Sequence, residues 1–462
     1  MTTQETASTT TPAVSGSLRP PVSRSILALV LLVVALSAVV RLWDLDRFEQ
    51  TVFDEHYYVH DAKVLLHGGL AGTPAEPWRP AGVRSDAHPD LAKLAIAAGV
   101  AVFGDGPWGW RIPGALAGIA LIALVFPVAR RLGLSDEWAL AALVLAASDP
   151  MLMLESRIAV LDMFAALATV LAVYLALRYV QSGFGLWWLI ACAGALGAAV
   201  SCKWSGALAV LAVLIIIAPP LVRHGRGRVR PLAVAAALVL VPAVVYLVSS
   251  IPYFAAGHGL GDWLRLQEHM ATFGWGVRGD RTFASRPVTW PFDASPIWYI
   301  WSDTSRGTVG LLAIGNFLLW WTGIAVWVVL GLLALLRRDW RLGLAPALVG
   351  ALYLPWLLTT RQTYIYYMVP VVPFVAILVA TGLARLAGAP WTQAPGAPLA
   401  VATGGRTAQS EGGGGEHRGR RLAAWAFCAA CVVVGVLYVP FVLGVPVPFE
   451  YYSLLTPFTT WK

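Results

Sequence analysis

Long apolar runs dominate the chain, broken by short polar clusters in which arginine is frequent. A helix that crosses a bilayer needs about 20 mostly apolar residues, within a range of about 17–25. By that rule the pattern predicts eleven spans, near 25–43, 111–129, 138–154, 158–178, 186–202, 205–222, 232–250, 311–336, 342–358, 364–385 and 422–443. The runs 138–154 and 158–178 are the least well separated, with only Glu155-Ser156-Arg157 between them. Two long segments remain outside the spans, 44–110 and 251–310. Within the first, residues 91–103 are apolar but short for a full span, as in a half-inserted or interface-lying helix. Residues 1–24 are rich in Ser, Thr and Pro and read as a disordered tail. The run that follows reads as a retained first span, because no A-x-A cleavage site comes after it. The Gly/Pro/Ala-rich stretch 386–421 reads as a flexible linker before the last span and a short tail. No internal repeat is visible.

Composition strengthens this picture. The 462 residues are 58% hydrophobic and 13% charged, with a mean hydropathy of +0.69. A water-soluble domain carries about 25% charged residues. The excess apolar surface therefore faces lipid, and an all-α integral membrane protein is expected. The net charge of +8 comes in short clusters without a basic, aromatic-interleaved stripe, which argues against nucleic acid as a partner. Cys192, Cys202, Cys428 and Cys431 lie within or at the ends of apolar runs and read as small buried hydrophobes.

Charge also orients the chain. Arg19 and Arg24, Arg130-Arg131, Arg223 to Arg230, Arg337 to Arg341, and Arg406 to Arg421 all fall on one side if there are eleven spans. The positive-inside rule makes that side cytoplasmic. The N-terminus is then inside, and the C-terminal tail and both long segments are outside.

The sharpest chemical feature is Asp54-Glu55, set among Val52, Phe53, Tyr57 and Tyr58 just after the first span. An acidic pair is usually a solvated turn. Apolar and aromatic flanks instead suggest a pocket, where a carboxylate can take the proton of an attacking alcohol. His56 and His60, four apart, share a helical face with Asp61 beside them, but three well-oriented metal ligands are not evident, so no metal site is assigned and no cofactor is required, while metal dependence stays open. Several cations sit on the outer side, against the positive-inside trend: Arg41, Lys93, Arg111, Arg157 beside Asp162, Lys203, and Arg361 before Tyr364 to Tyr367. Each alone reads as a headgroup anchor. Facing inward together, they would suit a phosphate leaving group. The second outer segment holds His269, Arg278, Arg286, Trp290, Trp298 and Tyr299, an aromatic density equally suited to an interfacial belt, a sugar or an extended peptide.

Taken in order, Arg41, Phe53-Asp54-Glu55, His88-Pro89 with Lys93, Arg111, Ser156-Arg157 with Leu161-Asp162, Lys203-Trp204-Ser205-Gly206, Ser285-Arg286-Pro287 with Trp290-Pro291, Gly315-Asn316 with Trp320-Trp321, and Tyr366-Tyr367 resemble the protein O-mannosyltransferases. The similarity is to the bacterial branch, which lacks the large extra luminal domain, and it runs from the first span to the tail. It implies a GT-C membrane glycosyltransferase fold over 25–385. It further implies a polyprenyl-phosphate-mannose donor, Ser/Thr hydroxyls of exported polypeptides as acceptors, inversion at the anomeric carbon, and coupling to the export translocon. By that resemblance Asp54 matches the catalytic base and Glu55 its acceptor-positioning neighbour. Donor contacts are expected from Arg41, Lys93, Arg111, Arg157, Asp162, Lys203, Arg361 and Tyr367, and acceptor contacts from Glu55, His88, Arg286 and Trp290. The chain departs from the family pattern at Asp90, Ala92 and Tyr367, where Pro, Gly and His are common.

Two alternatives share some of these features. A related GT-C enzyme could use the same outer carboxylate on a glycolipid or a wall polysaccharide. A lipid or solute transporter would instead place ionisable residues near the midplane and show paired repeats, which this chain does not.

Overall fold

The computed structural model describes residues 21–66, 87–224, 231–276, 283–389 and 414–461. Most of the expected N-terminal tail and of the 386–421 linker lies outside the described residues, as does Arg278.

Helix α1 (Arg24–Leu42) starts at Ser23, whose hydroxyl accepts the Ile26 N–H at 3.3 Å, a side-chain cap on an otherwise open helix end. It is followed by α2 (Glu55–Leu66), α3 (Leu91–Phe103) and α4 (Pro107–Arg131). Next come α5 (Asp136–Ala147), α6 (Pro150–Glu155), α7 (Asp162–Gln181), α8 (Leu186–Cys202), α9 (Ala209–His224) and α10 (Pro231–Ser249). The short α11 (Ile251–Ala255) and α12 (Leu260–Gly276) lead to an antiparallel hairpin, β1 (Ile297–Thr304) and β2 (Gly307–Ala313). Helices α13 (Phe317–Arg337), α14 (Trp340–Tyr353), α15 (Val372–Leu386), α16 (Gly414–Leu443) and α17 (Phe449–Leu455) complete the chain.

Among the described residues, eight helical stretches are long and apolar enough to cross a membrane; α3, α8 and α15 are apolar but shorter. Three boundaries differ from the sequence reading. The apolar run 138–154 is broken at Ser148-Asp149, because Asp149 caps α6 by accepting the Leu152 N–H and Pro150 takes the first helical position. The run 311–336 begins as strand β2, and α13 starts only after Asn316, whose side chain caps it. The run 364–385 opens with a tight turn at Ile365–Met368, and α15 begins at Val372, next to Pro373. The expected all-helical fold thus gains one hairpin.

Helix α15 is buried along nearly its whole length and α5 along most of it, so the core lies around these two and α7. Only 11% of the apolar window of α10 is buried within the protein, leaving that helix to face lipid. One close approach shapes the core around Arg41. A methyl group added at Gly118 of α4 would run into Ser156 Cβ and sit 3.1 Å from Arg41 Nε. The missing side chain lets α1, α4 and the segment after α6 converge.

The hairpin carries a β-bulge. Trp298 faces Leu312 and Ile300 faces Leu311, so Tyr299 is an extra residue in β1. Bulges re-aim side chains near functional sites. Here Trp298 and Trp301 meet on one face, with ring centroids 4.9 Å apart, and pack on Tyr452 of α17. Tyr299 is directed elsewhere.

Candidate active site

Asp54 lies at the start of α2, where its carbonyl accepts the N–H groups of Tyr57 and Tyr58. Phe53 before it adopts the left-handed region at φ 51°, a conformation unfavourable for an aromatic residue. Asp54 is half-buried, whereas Glu55 is fully enclosed. Two adjacent carboxylates therefore differ sharply in burial.

Glu55 is held by Arg111 of α4 through Nε to Oε1 and Nη2 to Oε2, each 2.8 Å. Its oxygens also accept the N–H groups of Val52 and Ala159, both at 2.8 Å. Arg111 donates further to the carbonyls of Leu45, Phe48 and Gln50. Both side chains are engaged in fixing the 45–55 segment against α4 and the loop after α6.

Arg41 is likewise enclosed, with 0% exposure, and donates to Ser37 and to the Leu152 carbonyl, tying α1 to α6. Arg157 donates to the Val40 and Asp44 carbonyls. The structure thus sets Arg41, Arg111 and Arg157 into the scaffold around the turn rather than together with the other expected donor contacts.

Those other residues do converge. Lys203, the residue after α8, forms an ion pair of 2.7 Å with Asp162 at the start of α7. Its ammonium group lies 4.7 Å from the Tyr367 ring centroid and 5.3 Å from that of Tyr366. Arg361, half-buried, donates to the Tyr367 hydroxyl at 3.1 Å. Lys93 reaches Asp61 at 3.0 Å and the His88 carbonyl at 2.8 Å. Burial, then the charges of Lys203, Lys93 and Arg361, hold the His88 imidazole well below its usual range, so His88 is a neutral group among cations.

Asp54 is linked to this cluster through aromatic neighbours. The Phe53 ring stacks on Tyr299 with centroids 3.9 Å apart and meets the edge of Tyr366 at 5.7 Å. Burial first, and then the charge of Asp54, push the Tyr58 phenol well above its usual range. Tyr58 also lies 6.1 Å from the His88 ring.

Trp290 is almost completely buried, donates to Ser285, and packs edge-on against Tyr367 at 5.9 Å. It supports the tyrosine wall from behind, whereas Arg286 is exposed. Two hydrogen bonds between Ser285 and Thr363 join this part of the 251–310 segment to the Arg361 segment. Among the described residues, no group of three or more His, Cys, Asp and Glu is arranged to hold a metal ion.

Sequence reasoning passed over Tyr58 and Glu155. Glu155 was readable as a lone acid between two apolar runs, a pattern that marks function in membrane proteins.

Comparison with known proteins finds relatives in both sequence and fold. The profile described as dolichyl-phosphate-mannose-protein mannosyltransferase matches residues 94–255, and that of the C-terminal four-span region of protein O-mannosyltransferase matches 259–347. The polyprenol-phosphate-mannose–protein mannosyltransferase of Mycolicibacterium smegmatis is 27% identical, over 76% of this chain and 81% of that one. The Mycobacterium tuberculosis protein of the same name is 29% identical, over 71% and 74%. In structure the chain is similar to the Saccharomyces cerevisiae Pmt1-Pmt2 complex bound to the sugar donor, with TM-score 0.77, 14% identity and coverage of 96% and 94%. It is also similar to ArnT from Cupriavidus metallidurans bound to undecaprenyl phosphate, with TM-score 0.53, 20% identity and coverage of 90% and 73%.

Proposed function

The chain belongs to the dolichyl-phosphate-mannose-protein mannosyltransferase family, and from that premise we propose that Asp54 is the general base of a mannose transfer to polypeptide hydroxyls. The protein is a multi-pass membrane glycosyltransferase of GT-C fold. Its donor is polyprenyl-phosphate-mannose, and its acceptors are Ser and Thr side chains of exported polypeptides, presented outside the cell near the translocon. The outward placement of the site rests on the arginine clusters, which assign the opposite side to the cytoplasm.

The observation that carries this reading is the half-buried Asp54, set beside an enclosed partner acid and sharing aromatic neighbours with the Lys203–Arg361–Tyr367 cluster. Asp54 takes the proton of the acceptor hydroxyl as its oxygen bonds to the anomeric carbon. The bond from that carbon to the phosphate oxygen breaks, and the lipid phosphate leaves with the electron pair. Negative charge then grows on the phosphate, where Lys203 and Arg361 stabilise it more than in the ground state. Attack opposite the leaving group inverts the anomeric centre and needs a single carboxylate base.

The test is transfer of radiolabelled mannose from polyprenyl-phosphate-mannose to a Ser/Thr peptide. Asp54→Asn and Asp54→Ala should each lower turnover by at least about 100-fold, with membrane insertion intact. Normal turnover in both variants removes Asp54 from the mechanism.

A further inference from the structure

The turn that presents Asp54 is braced by residues far from it in the sequence. Tyr299, the bulged residue of β1, lays its ring flat on Phe53 with an interplanar angle of 11°. Its hydroxyl donates to Oε1 of Glu155, the last residue of α6. Both Tyr299 and Glu155 are buried. Phe53, in its left-handed conformation, immediately precedes Asp54. A strained backbone conformation persists where its surroundings over-determine it. Phe53 is held by Tyr299 on its face and Tyr366 at its edge, so its ring is restrained from two directions.

We infer that Glu155 and Tyr299 form a positioning pair that fixes the Phe53 turn and so aims the Asp54 carboxylate at the acceptor hydroxyl. This deepens the base assignment of Asp54 and rests on it. The pair joins the second outer segment to the first through one aromatic stack. Neither residue needs to touch substrate for the effect. A general base acts within hydrogen-bond reach of its proton, and displacement of about 1 Å can cost about 100-fold in rate. Burial, the nearby charge of Asp162 and, more weakly, that of Asp54 push the Glu155 acid up to about 8, while Tyr299 and Lys203 oppose the rise. A Glu155 that retains its proton adds no full second negative charge beside the base, and the hydrogen bond to Tyr299 survives in either protonation state.

The experiment measures kcat and KM for donor and for a Ser/Thr peptide in the full-length purified protein, with Asp54→Asn as reference. Tyr299→Phe keeps the stacked ring and removes only the hydroxyl. Tyr299→Phe and Glu155→Ala should each lower kcat by about 10- to 100-fold with either KM changed less than about twofold. Glu155→Gln, which preserves an acceptor oxygen, should restore kcat to within about threefold of the parent. The double variant Tyr299→Phe/Glu155→Ala should be no slower than the slower single variant. A parental kcat in Tyr299→Phe, or a loss confined to KM, overturns the positioning role. If Asp54→Asn is inactive while Tyr299→Phe is normal, only the pair is refuted. An active Asp54→Asn refutes the base assignment itself.

Discussion

Arg111 and Glu55 form a two-pronged ion pair in which both side chains are at most 3% exposed. Every remaining hydrogen-bonding direction that the structure shows for them goes to backbone of the 45–55 segment or to Ala159. The pair is therefore a clasp beneath the turn that carries Asp54.

Breaking this clasp from one side leaves a buried charge without its partner. Glu55→Ala and Arg111→Ala should each lose about 3–5 kcal/mol of stability. The double variant should lose less than the sum of the two. Arg111→Lys should also be destabilised, because an ammonium group cannot make the parallel pair of bonds. Thermal unfolding of the purified protein in detergent measures all four. An unchanged midpoint in Arg111→Ala would contradict the role.

Lys203 pairs with Asp162 and, in the proposed mechanism, also stabilises the leaving phosphate, and mutagenesis separates the two. Lys203→Met removes its charge, leaves Asp162 unpaired, and should lower both stability and transfer. Adding Asp162→Asn removes the unpaired acid, so the midpoint of unfolding should recover. Mannose transfer should stay reduced by about 100- to 1,000-fold, as when an electrostatic contact to a leaving group is lost. Recovery of transfer together with stability would make Lys203 purely structural.

Glu155 gives stability a pH dependence of known sign. Its folded-state acid is raised from an ordinary 4.5 to about 8. Between those values the folded protein binds more protons than the unfolded chain. This contribution is fully present below about pH 4.5 and is lost as pH rises to about 8. Glu155→Gln should flatten that part of the curve of unfolding midpoint against pH. A curve identical to the parent would contradict the burial argument.

Two glycines should respond oppositely to alanine. At Gly118 the new methyl group meets Ser156 and Arg41, and overpacking of this kind costs about 1–3 kcal/mol. At Gly331 of α13 nothing lies within 4 Å of the position a methyl would take. Gly331→Ala should therefore stabilise by about 0.4–1 kcal/mol through reduced unfolded-state freedom. Unfolding midpoints of the two variants should move in opposite directions.

Much of this protein was legible in the amino-acid order because the relevant physics is local and additive. Lipid residence is a sum over about 20 neighbouring side chains, so most spans were readable from hydropathy alone. Asp54 stood out for a similar reason, as an acid in an apolar, aromatic run next to a span. Family motifs are short and collinear, and they too survive without coordinates. The break at Asp149-Pro150 was equally local, but the apolar average across 138–154 masked it.

Tertiary structure alone decided how the charged residues divide their work. Arg111 lies 56 positions from Glu55, and Tyr299 lies 144 from Glu155. No periodicity connects such partners, because the chain between them only has to close a loop, and loop closure depends weakly on length. Burial then determines each role. Arg111 is taken up by Glu55 and by backbone carbonyls, while Lys203 and Arg361 gather around Tyr367. One-dimensional reading sees that a cation is present; only packing in three dimensions shows which anion it faces.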